Sequence, residues 1–153
     1  LVLVVGLVNF FFRVLPANRL ENNRIYQMAA AIRQKTEPGS IVMIAGCGSN
    51  PSIYSKIYIP YFGHRNVYIL DWMLGKGFRF QDLKDKILQD ISEGNSVYIL
   101  SELLKPGKAL QHLARNHDLD LKKFLDFFNG FEPEKKVPLT GDYYLIEVKA
   151  PEQ

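Results

Sequence analysis

Apolar positions along the chain recur with two different periods, and the alternation between them predicts its elements. Between Arg19 and Lys35, Ile25, Met28, Ala29 and Ile32 fall at i, i+3, i+4 and i+7, the spacing of one helix face. Glu21, Asn22, Arg24, Arg33 and Lys35 cover the other side, and Glu37-Pro38-Gly39 ends the helix. Ile41 to Ala45 is apolar throughout, as a strand buried on both faces should be. Pro51 suits the first turn of a second helix, where its missing N–H would lack a partner anyway. That helix is expected from Ser52 to about Ile59, where Pro60 cuts it short. Tyr61 to Arg65 then reads as a loop, Asn66 to Asp71 as a second strand and Gly75-Lys76-Gly77 as a turn.

Phe80, Leu83, Ile87 and Ile91 form the next helical stripe, closed by Gly94-Asn95, and Ser96 to Leu100 forms a third strand. The tetrapeptide VYIL thus occurs twice, at Val67 to Leu70 and Val97 to Leu100, with one helix between the copies. Their offset, about 30 residues, is that of a βαβ unit, so the two strands are expected to pair in parallel with a right-handed crossover, the first strand joining them. After Lys105-Pro106-Gly107, Leu110, Leu113 and Ala114 give one helical stripe and Leu121, Phe124, Leu125 and Phe128 another. Gly130 to Thr140, with Pro133 and Pro138, reads as a polar loop. Tyr143 to Val148 is a last strand; with no helix before it, it is expected antiparallel at a sheet edge. Alternating helices and strands predict an α/β fold: a three-layer sandwich with a small, mostly parallel sheet and an antiparallel edge strand. Residues 17–153 form one domain of this kind.

The first twelve residues, LVLVVGLVNFFF, carry no charge. Spanning a bilayer takes about 20 apolar residues, and a signal peptide would carry a basic start and a cleavage site. Residues 1–16 therefore read as the end of a transmembrane helix, with Phe10, Phe11, Phe12 and Arg13 at the interface. The competing reading is a buried strand or core helix. Composition changes this picture little. The chain is 47% hydrophobic and 23% charged, a globular balance. Its net charge of +3 is spread among interleaved acids and bases, so no basic stripe points to nucleic acid. One cysteine, Cys47, excludes an internal disulfide and a multi-cysteine zinc site.

Candidate chemistry gathers at the end of the first strand. Gly46, Gly48, Ser49 and Asn50 form a glycine turn, and Asp71 ends the next strand, where an acid would meet the ribose of a nucleotide. The arrangement resembles the first motif of a Rossmann-type S-adenosylmethionine-dependent methyltransferase. It departs from that motif in having Ile44 two residues before the first glycine and Asn50 in place of a third. Cys47 has no histidine tied to it by spacing among His64, His112 and His117, and these three do not make a metal site. Tyr54, Tyr58, Tyr61 and Phe62, with His64 and Arg65, form an aromatic cluster: a core edge, or a contact surface for a polar ligand, a partner domain or a membrane face.

Pro38-Gly39-Ser40, then Pro60-Tyr61-Phe62-Gly63-His64-Arg65, then Val67 to Asp71 follow one another directly after a hydrophobic helix end. This order resembles the C-terminal region of polytopic GT-C-type membrane glycosyltransferases, such as the dolichyl-phosphate-mannose-protein mannosyltransferase-like and aminoarabinose-transferase-like proteins. The resemblance covers Arg19 to Leu104 and the closing strand. It implies a transferase that uses a polyprenyl-phosphate-linked sugar, with this domain on the extracytoplasmic side of the cell membrane. It implies as partners the membrane and an N-terminal transmembrane domain of the same protein. The catalytic acid of that family lies among its membrane helices, so the resemblance assigns no catalytic residue, cofactor or metal to this chain. Arg13, Arg19 and Arg24 close to the apolar run favour, by themselves, the cytoplasmic side. Three readings follow: a non-catalytic domain of such a transferase, a methyltransferase fragment, and a membrane-anchored interaction module.

Overall fold

A computed structural model describes residues 22–48 and 52–149. The apolar start (1–16), the first helix residues 19–21, and Ser49 and Asn50 lie outside the described residues. The elements, in chain order, are α1 (Arg24–Lys35), β1 (Ile41–Ile44), α2 (Ser52–Gly63), β2 (Asn66–Ile69), α3 (Leu70–Gly75), α4 (Phe80–Ser92) and β3 (Val97–Leu100). A 3-10 turn (Ser101–Leu103) leads on to α5 (Lys108–Asn116), α6 (Leu121–Asn129), β4 (Glu132–Pro138) and β5 (Tyr144–Lys149).

The strands form one five-stranded mixed sheet in the order β2-β1-β3-β5-β4. β1 pairs in parallel with β2 (Ile41 opposite Asn66) and with β3 (Ile41 opposite Val97). β5 runs antiparallel to β3, with Leu100 opposite Leu145, and β4 runs antiparallel to β5. The two VYIL strands, expected to pair with each other, instead pair on either side of β1, because the wholly buried β1 takes the central position between them. All four residues of β1 are buried, as an unbroken apolar run predicts.

Strand residues alternate between two cores. Ile41, Met43, Val97, Ile99 and Val148 point to one face, where Leu83 and Ile87 of α4, Leu110 and Leu113 of α5, and Phe124 and Phe128 of α6 cover them. Val42, Ile44, Tyr98, Leu100 and Leu145 point to the other, against Ile25, Met28 and Ile32 of α1 and Ile59 of α2. The helical stripes predicted from periodicity are the ones buried. Asn23 caps α1, its side chain accepting from the amides of Ile25 (2.9 Å) and Tyr26 (3.3 Å). Tyr68 of β2 donates to Asp90 of α4, whose carboxylate also takes the ammonium of Lys86 at 2.9 Å, pinning an edge strand to its crossover helix.

Four further sequence expectations change. α2 continues through Pro60 to Gly63, so Tyr61 to Gly63 are helical. Pro60 lies on the exposed side of the helix, where the unpartnered carbonyl a proline leaves behind can be hydrated. The second strand stops at Ile69, and Asp71 belongs to the first turn of α3. Residues 132–138 are a strand and not a loop. The closing strand is antiparallel as expected, but it lies inside the sheet; β4 takes the edge.

Candidate functional site

The chain leaves β1 for β2 on one side through α2, then crosses to β3 on the other side of β1 through α4. α2 and α4 pack on opposite faces, so the C-terminal ends of β1 and β3 border a topological switch point, where open α/β sheets place ligands. The glycine turn does fall there. Gly46 has φ of +74° and stands so close to Ile69 that a methyl group would overlap it. Gly48, at φ +87°, faces the start of α5, a Cβ there lying 3.3 Å from the Ala109 Cα. The close approach that these glycines allow is to neighbouring segments of the same chain.

An acid at the switch point is Glu102, just past β3. Its Oε1 accepts from the Ala45 amide (2.9 Å) and from the Ser52 hydroxyl (3.1 Å), tying the tips of β3 and β1 to the first residue of α2. Burial raises the pKa of Glu102, and its two hydrogen bonds oppose that rise without cancelling it. Sequence reasoning passed over this residue; the signal for it was an acid placed directly at the tip of the second VYIL strand.

Asp71 makes three hydrogen bonds at this edge. Its amide donates to Ala45 O (3.1 Å), and its Oδ1 lies 3.0 Å from His117 Nε2 and 3.4 Å from Asn116 Nδ2 at the end of α5. Cys47 is buried, with Sγ 3.8 Å from Ala109 O. Burial, then the charges of Asp71 and Glu102, push its thiol up to about 12, with Lys56 only partly offsetting them. The thiol is therefore protonated at neutral pH, the opposite of an activated nucleophile.

The aromatic cluster divides. Tyr58 accepts from Asn23 Nδ2 (3.3 Å) and Phe62 packs edge-on against Tyr26 at 5.1 Å, so both join α2 to α1. Arg65 is buried, donating to Thr36 Oγ1 (2.8 Å) and O, Arg33 O (2.9 Å), His64 O (2.9 Å) and Gly63 O (3.3 Å). It latches the end of α1 to the α2–β2 corner, and burial followed by the nearby Arg33 lowers its pKa. His64 is exposed and stops α2 in a left-handed conformation, φ 50°. Tyr54 and Tyr61 remain exposed.

A cavity of about 780 Å³ opens between the start of α1 and the β4–β5 turn, lined by Asn23, Arg24, Met28, Thr140 and Tyr143 among others. Nothing in the sequence pattern marked it, because its two walls are more than a hundred residues apart in the chain. Among the described residues no group of three histidine, cysteine, aspartate or glutamate side chains is placed to hold a metal ion, and no helix is long and apolar enough to cross a membrane. The chain matches no protein-family model, no curated protein and no solved structure.

Proposed function

We propose that this chain is the C-terminal, non-catalytic domain of a polytopic GT-C-type membrane glycosyltransferase using a polyprenyl-phosphate-linked sugar. In this reading it is a three-layer α/β sandwich on the extracytoplasmic side, preceded by the last membrane helix, and its work is to pack on the membrane domain. The order of Pro-Gly-Ser, Pro-Tyr-Phe-Gly-His-Arg and the following strand supports the family. The observation that carries the non-catalytic part is how the switch point is filled. Gly48 abuts Ala109, Asp71 bonds His117 and Glu102 bonds Ala45 and Ser52, so these three described residues hold the domain's own segments together.

Two measurements test the reading. Full-length protein in proteoliposomes is expected to consume a polyprenyl-phosphate sugar, and an Asp71→Ala variant is expected to keep that activity. Titration calorimetry with S-adenosylmethionine is expected to give no binding heat. No donor consumption, or micromolar S-adenosylmethionine binding abolished by Asp71→Ala, overturns it, the latter in favour of the methyltransferase.

A further inference from the structure

α2 is packed inside out. Its core-facing stripe is Ser52, Ser55, Ile59 and Gly63, three of them small. Its outward stripe is Ile53, Tyr54, Ile57, Pro60 and Tyr61, at i, i+1, i+4, i+7 and i+8, bulky and without a charge. Small residues inward let the helix sit close to its neighbours: a Cβ on Gly63 would meet Ala29 O at 3.2 Å. Among the described residues none covers the outward stripe in this way: Tyr61 is 71% exposed, Ile57 58% and Tyr54 46%. Trp72 of α3 extends the patch at 55% exposure, with Lys56 Nζ 5.6 Å from its ring. Surface apolar residues are ordinary one at a time; four on one helix face beside an exposed tryptophan are not.

We infer that this face is a lipid-docking surface, on which α2 lies in the interfacial plane of a bilayer with Ile53, Tyr54, Ile57, Tyr61 and Trp72 among the headgroups. The side-chain chemistry and the lack of an acid on α2 fit a lipid occupant. Tyrosine and tryptophan have an apolar body and a polar tip, which suits a boundary that is dry on one side and wet on the other. Lys56 can keep its ammonium at the headgroups while its stem lies along apolar surface. α2 contains no acid, so anionic headgroups meet no like charge from the helix. The uncharged run Leu1 to Phe12 belongs to the same chain and brings a bilayer within reach. The inference rests on the membrane-apposed reading for its setting, but it is tested separately.

Trp72 is the single tryptophan of the chain, so the patch carries its own probe. The protein is mixed with vesicles of equimolar phosphatidylcholine and phosphatidylglycerol, and Trp72 emission is followed with and without dibrominated acyl chains. The expected result is a blue shift with quenching by bromines near the headgroup end of the chains, about 5–10 Å into the boundary. Tyr54→Ser with Tyr61→Ser is expected to abolish the shift, and Lys56→Glu to weaken the vesicle affinity several-fold. Emission unchanged while the chain still sediments with vesicles would mean that the N-terminal run alone binds, and overturns the inference. So does a shift equally strong in the double tyrosine variant and in Lys56→Glu. Neither outcome bears on sugar-donor consumption, which tests the reading above.

Discussion

The carboxyl of Glu102 is held where a charge is costly but two donors still point at it. Its folded pKa lies above the ordinary value of 4.5, so the folded chain binds this proton more tightly than the unfolded chain does. Its contribution to stability is therefore fullest below that ordinary value and is lost as pH rises through the raised one. Glu102→Gln keeps an oxygen to accept from Ala45 and Ser52 and removes the charge. The variant is expected to unfold at higher urea than the parent at neutral pH, with the gap closing on acidification. A parent that gains on the variant as pH rises would show that the ionised form is the one the site favours. The same edge shows what could be read from residues in order. Gly46, Gly48 and Asp71 do gather at the strand tips, because a βαβ unit places them there. That Asp71 is engaged by His117 could not be read, since the partner is 46 residues away and only the docking of α5 brings it close.

Elements were legible in proportion to how much of their apolar surface is buried. β1, β3 and the stripes of α1, α4 and α6 are readable because burial enforces a period. β4 was missed because Glu-Pro-Glu-Lys-Lys-Val-Pro buries little: from 133 to 138 only Val137 enters a core. Its prolines, tolerable at a sheet edge, read as breakers, and its lysines are what an edge uses to deter further pairing. α2 ran on past its proline because the Arg65 corner beyond it fixes where the helix must end. Arg65→Met removes five donated bonds and leaves four carbonyls of two segments without them, an expected loss of about 2–4 kcal/mol in urea unfolding. Arg65→Lys is expected to recover less than half, since an ammonium cannot reach Thr36, Arg33 and Gly63 as a planar fork does. A methionine variant within about 0.5 kcal/mol of the parent would mean the latch contributes nothing.

At the scale of the whole molecule the sheet is two pieces joined along β3. The parallel trio β2-β1-β3 comes from residues 41–100 and the hairpin β4–β5 from residues 132–149. The seam is four register pairs from Val97–Val148 to Leu100–Leu145, with the Tyr144 amide donating to Ser101 Oγ at 3.2 Å beside them. β5 is an inner strand, so a chain ended after Thr140 loses the partner of β3 and of β4 together. Such a chain is expected to lose its near-ultraviolet circular dichroism and its cooperative thermal transition. Retention of both would mean that the trio is a self-sufficient fold.

That seam has a meaning for synthesis as well as for stability. A ribosome delivers β3 some fifty residues before β5, so during translation the bonding edge of β3 and the apolar side chains Val97 and Ile99 wait without their final neighbour. In that interval the nascent chain presents a short, sticky strand edge to whatever is nearby, another nascent chain included. The hairpin is then the closing stitch of the fold, and the period before it arrives is when a holding chaperone would have most to protect.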